Sequence, residues 1–139
     1  MAKPKPRSFL DTNVLIKSWT FPGAPKTIEQ ARTRALSLID LHRTPYITSP
    51  ARIEFLCGVR NENERKLKET FLAQFQLLDQ GNIPSADWVE AARFAKRFGD
   101  RIRIRKLGDC LMKAISLRFK CDIVTLDRDF KNRIPPEPN

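Results

Sequence analysis

Four acidic residues, Asp11, Glu54, Asp109 and Asp127, stand where a carboxylate can do chemistry. Asp11 closes the short run Ser8-Phe9-Leu10, and Asp127 closes the run Asp122-Ile123-Val124-Thr125-Leu126. In open α/β sheets the ligand crevice lies beyond the carboxyl ends of the strands, so two strand-end acids can meet across neighbouring strands. Glu54 interrupts an otherwise apolar Ile53, Phe55, Leu56, Cys57 stretch, and Asp109 follows Gly108 where a helix begins. Each also has an ordinary structural reading. Asp109 suits a cap or first turn, Glu54 an exposed helix face, and Asp127 with Asp129 a charged turn capping the last helix. Several acids in one crevice are another matter: two carboxylates ~5 Å apart at an effective dielectric of ~20 repel by about 3 kcal/mol, so they require a cation. Oxygen donors without soft ligands select Mg²⁺, with Mn²⁺ as a substitute, and the reaction class implied is metal-assisted phosphodiester hydrolysis.

The elements that must position these acids follow from periodicity and breakers. A strand over Ser8 to Leu10 leads into a short helix from Thr12 to Trp19, which the Phe21-Pro22-Gly23 loop ends. A second helix runs from Lys26 to Leu41. The tripeptide Tyr46-Ile47-Thr48 is a second strand; Ser49 as N-cap and Pro50 as first helical residue then open the helix that carries Glu54. Helical character continues from Glu62 to Gln74, with a strand over Phe75 to Leu78. Pro84-Ser85 opens a helix whose Trp88, Ala91, Ala92, Ala95 and Phe98 recur as a core stripe up to Gly99. The last helix, introduced by Gly108-Asp109, carries Leu111, Ala114, Ile115 and Leu117. Short apolar strands alternating with helices, without hairpin turns, predict an α/β fold with a mainly parallel central sheet. The domain is expected over residues 8–134, between a basic arm at 1–7 and a proline-rich tail at 135–139.

Composition narrows the partner. The 139 residues include 26 Lys and Arg against 16 Asp and Glu, a formal charge of +10, which favours a polyanion such as nucleic acid. Half of that positive charge lies between residues 93 and 133; if extended, Arg101-Ile102-Arg103-Ile104-Arg105 sets three arginines on one face, with Lys106 beyond them. A solvated edge segment gives the same pattern. The single histidine, His42, excludes two-histidine ribonuclease chemistry and histidine-rich zinc sites within one chain. Cys57, Cys110 and Cys121 are odd in number, lack metal-ligand spacing and read as small buried hydrophobes in a reducing compartment. No apolar stretch approaches a membrane span and no secretory leader opens the chain, so a cytoplasmic protein without membrane contact is expected.

The motifs also carry a family likeness. Phe9-Leu10-Asp11-Thr12-Asn13-Val14-Leu15-Ile16 resembles the opening motif of PIN domains. The segment from Ser49 to Val59, around Glu54, resembles the family's helix-borne glutamate; Asp109-Cys110-Leu111-Met112-Lys113-Ala114 resembles its third acid, and Thr125-Leu126-Asp127-Arg128-Asp129-Phe130 its closing block. The likeness spans about Ser8 to Ile134 and implies a PIN-like α/β/α sandwich with Asp11, Glu54, Asp109 and Asp127 as the acidic metal site. Thr12 and Thr125 then match supporting hydroxyls, and Asp129 is a further member. The chain's length and its Glu54-Phe55-Leu56-Cys57-Gly58-Val59 motif are most similar to VapC-type ribonuclease toxins, which implies RNA as substrate, a cognate antitoxin and a homodimer. Lys113 and the basic approach from Arg101 to Lys106 depart from the family pattern.

Other activities remain open on sequence. An aspartyl-phosphate phosphatase also places an Asp after its first strand, but it resembles Asp-x-Asp, and Asn13 stands where the second acid would be. A DNA structure-specific nuclease shares the metal chemistry. A non-catalytic nucleic-acid-binding module would use the basic surface alone.

Overall fold

The computed structural model describes residues 6–95 and 107–126. The expectations for Asp127, Asp129, the tail, the arginines at 101, 103 and 105, Lys106 and Phe98 lie outside them, as does the arm up to Lys5. Pro6 and Arg7 are already engaged: the Pro6 carbonyl accepts from the Cys121 thiol at 3.2 Å, and the Arg7 carbonyl from the Asp122 amide at 2.9 Å.

Strand β1 (Ser8–Leu10) stops where Asp11 turns its carboxylate onto the Thr12 amide and caps helix α1 (Thr12–Thr20). The far end of α1 is closed by a side chain from another element. Arg34 of helix α2 (Ile28–His42) donates to the carbonyls of Ser18, Trp19, Phe21 and Gly23, at 2.6, 3.2, 3.3 and 2.8 Å. A cation on the last carbonyls of a helix satisfies both the orphan acceptors and the dipole. Strand β2 (Tyr46–Ile47) leads into helix α3 (Ser49–Leu56). Its N-cap is Thr48, not Ser49: the fully buried Thr48 hydroxyl accepts from the Ala51 amide at 3.3 Å, and Ser49 is already helical. Helix α4 (Glu62–Leu72), strand β3 (Gln76–Leu77), helix α5 (Ser85–Ala95), helix α6 (Leu107–Phe119) and strand β4 (Asp122–Val124) complete the described chain.

All strand pairing among the described residues is parallel. β1 pairs with β4, Phe9 facing Ile123 and Leu10 facing Val124, and β2 pairs with β3, Tyr46 facing Gln76. The two ladders are separate as hydrogen-bonded sheets; Thr44 ties them, its hydroxyl donating to the Ser8 carbonyl at 2.7 Å. The expected α/β fold with a small parallel sheet is therefore present, as two short ladders flanked by helices.

An aromatic cluster fixes α3 beside α1. Trp19 meets Phe55 and Phe71 edge-on at 5.7 and 5.4 Å between centroids, and Phe55 stacks on Phe71 at 5.1 Å. Burying Phe55 commits the orientation of its neighbour Glu54, because adjacent helical residues point about 100° apart. Truncating a ring at such a site costs about 3–5 kcal/mol. Lys68 of α4 adds a clamp, donating to the Phe55 carbonyl at 3.2 Å with its ammonium 5.0 Å from the ring centroid.

Of the stripe expected on helix α5, only Ala91 is buried among the described residues. Trp88 is 48% exposed and Ala92 and Ala95 are exposed, while Asp87, Ala91 and Phe94 face inward. Asp87, 2% exposed, accepts from the Arg118 Nε at 3.0 and 2.9 Å, which joins α5 to α6 by a charge pair the periodicity does not announce. Cys57 is exposed rather than buried, because α3 ends at Leu56; Cys110 and Cys121 are buried as expected. Burial, followed by the charge of Asp122, pushes the Cys121 thiol up, which keeps it protonated against the Pro6 carbonyl. No helix of the described residues is long and apolar enough to cross a membrane.

Candidate active site

The carboxyl ends of β1 and β4 bring the first group together. The Asp11 amide donates to the Val124 carbonyl at 2.9 Å, extending the ladder by one residue and setting Asp11 beside Thr125. The Thr125 hydroxyl donates to Asp11 Oδ2 at 2.7 Å, and the Asn13 Nδ2 donates back to that hydroxyl at 3.1 Å. Asn13 Oδ1 accepts the Leu126 amide at 3.2 Å. Asp11 is 5% exposed, so its carboxylate is fixed by both the helix it caps and the strand it faces.

Thr12 carries the connection to α3. Its hydroxyl donates to Glu54 Oε1 at 3.2 Å while its amide donates to Asp11 Oδ1 at 2.8 Å, so one residue touches two candidate acids 43 positions apart in sequence. Glu54 is half-buried. Its carboxylate lies against Gly108 in the first turn of α6, where a Cβ would come within 2.5 Å of Oε1. Asp109, half-buried, is the next residue of that turn. Ser116, on the same helix, donates to the Cys121 carbonyl at 2.5 Å and so ties α6 to the turn before β4.

Of the expected site residues, Asp11, Thr12, Glu54 and Thr125 are thus joined by side-chain hydrogen bonds, and Asp109 sits beside the Glu54 contact. Two residues went unrecognised in the sequence. Asn13, part of the opening motif and the place where an Asp-x-Asp pair would carry its second acid, hydrogen-bonds the Thr125 hydroxyl and the Leu126 amide; its position beside Asp11 and Thr12 is the available signal. Asp79, 3% exposed, accepts from the Ser49 amide at 3.0 Å, the Ser49 hydroxyl at 2.8 Å and the Gly81 amide at 3.1 Å, and so fixes the start of the helix that bears Glu54. Its signal was the run Leu77-Leu78-Asp79, the same form as Phe9-Leu10-Asp11.

The donor chemistry fits a hard divalent cation, being carboxylate and hydroxyl oxygen. Among the described residues, no three His, Cys, Asp or Glu side chains cluster closely enough to hold a metal by themselves. The fourth acid expected there, Asp127, is outside them.

The fold is mixed α/β, with Asp11 at the end of β1 linked through Thr12 to Glu54 on α3. A family model described as PIN domain matches residues 8–133, and the chain belongs to the PIN domain family. PIN domains are usually nucleases that act on nucleic acids with divalent metals. Comparison with curated proteins and with solved structures found no match.

Proposed function

We propose that the protein is a Mg²⁺-dependent endoribonuclease that hydrolyses RNA phosphodiesters, with Asp11, Glu54, Asp109 and Asp127 holding the cation. The observation that carries this reading is the Thr12 bridge, which ties Asp11 at the end of β1 to Glu54 on α3 in a chain of formal charge +10. Bound there, Mg²⁺ would supply Lewis-acid polarisation of the phosphodiester and of the attacking water. The residues of the chain do the rest. Thr125 and Asn13 orient Asp11, Thr12 orients Glu54, and a carboxylate of the set takes the proton of the attacking water. Asp129 is assigned a supporting place. Arg101, Arg103, Arg105 and Lys106 are assigned to the RNA backbone, because they follow one another directly before the helix that carries Asp109.

In the finer reading, the chain is the toxin of a toxin–antitoxin pair, a cytoplasmic homodimer silenced by an antitoxin that places a cationic side chain among the carboxylates. The resemblance of the motif around Glu54 supports it. Matched RNA and DNA substrates, incubated with Mg²⁺ or with chelator and mapped at their ends, test the activity. RNA cleaved only with metal, leaving 5′-phosphate and 3′-hydroxyl ends, is expected. A 2′,3′-cyclic end contradicts the mechanism, preferred DNA cleavage contradicts the substrate, and binding without cleavage points to the non-catalytic module.

A further inference from the structure

Gly108 has no conformational need to be glycine. It is the second residue of α6, within the helix, where its backbone is one that any L-residue adopts and where alanine is intrinsically preferred. What distinguishes the position is space. A Cβ built on Gly108 would lie 2.5 Å from Glu54 Oε1, 2.9 Å from Cδ and 3.1 Å from Oε2, and all three atoms belong to one carboxylate group. A side chain at 108 and the Glu54 carboxylate in its present place are therefore mutually exclusive.

The consequences for stability and for function diverge. The obstructing atoms are the far end of a flexible side chain, so an added methyl group displaces the carboxylate by a change of rotamer and leaves the packed core alone. The Glu54 carboxylate, however, is held by the Thr12 hydroxyl, whose amide holds Asp11, and it lies at the N-terminal end of α6 beside Asp109, where the helix dipole favours an anion. A rotamer change there breaks the link between Glu54 on α3 and Asp11 just after β1.

We infer that Gly108 is a positioning residue: its missing side chain is the space in which the Glu54 carboxylate stands beside Asp109, and filling that space lowers divalent-metal affinity without loosening the fold. The inference rests on the metal-site reading proposed above. It concerns one position whose role is set by what it lacks.

The experiment is Mn²⁺ titration by calorimetry on wild type, Gly108→Ala, Glu54→Asp and the double variant, with thermal melts in chelator. Gly108→Ala is expected to melt at or above the wild-type temperature and to bind Mn²⁺ at least tenfold more weakly. In the Glu54→Asp background, where the carboxylate is drawn back by one methylene, the same alanine is expected to change affinity less than twofold, because the two positions act through one contact. Wild-type affinity in Gly108→Ala overturns the inference. So does an equal loss in both backgrounds, or a lowered melting temperature in the double variant, which would show that the space serves packing. Wild-type protein that takes up no Mn²⁺ overturns the metal-site reading and this inference together, whereas uptake by wild type with an unaffected Gly108→Ala overturns this inference alone.

Discussion

Asp11 and Asp79 arrive at the same place in the chain grammar and do different things. Each ends a short run containing two apolar residues, Phe9-Leu10 and Leu77-Leu78, each follows a parallel strand, and each is almost fully buried. Asp79 spends its oxygens on local closure: the amide and hydroxyl of Ser49 and the amide of Gly81, which fasten the start of α3 to the turn after β3. Asp11 accepts from Thr12 and Thr125, and through Thr12 it is linked to Glu54. A strand-end aspartate is therefore not in itself a site. What its hydrogen-bonding neighbours touch next separates a local clamp from a carboxylate linked to a second acid.

The largest expected effect separates the two at the level of rate. Asp11→Asn should lower RNA cleavage at least ~10³-fold, about 4 kcal/mol of transition-state stabilisation. Asparagine caps a helix as well as aspartate does, and loss of a charge relieves repulsion among the acids, so melting without metal should be unchanged or raised. A large drop in melting temperature would move Asp11 into the structural class with Asp79.

Asp79→Ala should give the opposite pattern. It leaves the Ser49 and Gly81 amides without their charged acceptor, at a cost of about 3 kcal/mol, or roughly 10 °C in melting temperature for a domain of this size. Cleavage per folded molecule should fall far less than in Asp11→Asn, which a rate corrected for folded fraction checks.

A smaller effect tests the chain of contacts around Asp11. Thr125→Val removes the hydroxyl that donates to Asp11 and accepts from Asn13, and should slow cleavage about tenfold, near 1.4 kcal/mol. Restoration by Thr125→Ser would assign the loss to the hydroxyl rather than to packing.

The smallest effect is expected from acids that belong to neither class. Glu62 and Glu69 pair with Arg65 on the exposed face of α4, and Arg65→Ala should leave both cleavage and melting near neutral pH almost unchanged. The hydrogen bond from Arg65 holds the Glu62 carboxyl below its ordinary value of 4.5. Whatever stability the pair adds is therefore present above that value and lost as pH falls through the lowered one. A melting difference that grew on acidification would contradict this.

How much of this was legible in the sequence depends on the range of the interactions. β1, α1 and β4 are readable because short apolar runs and a helical period closed by the Phe21-Pro22-Gly23 breaker are local signals, and the placement of Asp11 at the end of β1 follows from them. The face of α5 is not. With Ala91, Ala92 and Ala95 all compatible with burial, the choice fell to Arg118, which turns Asp87 inward from 31 residues away and leaves Trp88 at the surface. The cap of α3 lies one residue before the expected Ser49 because both Thr48 and Ser49 are good caps, and Asp79 claims Ser49. The approach of Glu54 to Gly108 likewise joins positions 54 residues apart, and a glycine that supplies space looks in sequence like one that supplies a turn.

The central proposal is that the carboxylate of Asp11, and not that of Asp79, helps to hold a divalent cation. Mn²⁺ uptake by the purified wild type, Asp11→Asn and Asp79→Asn, followed by electron spin resonance in folded protein, tests it most directly. The account predicts uptake by wild type and Asp79→Asn with affinities within about threefold, and loss of at least tenfold, about 1.4 kcal/mol, in Asp11→Asn. Equal uptake by wild type and Asp11→Asn would contradict it.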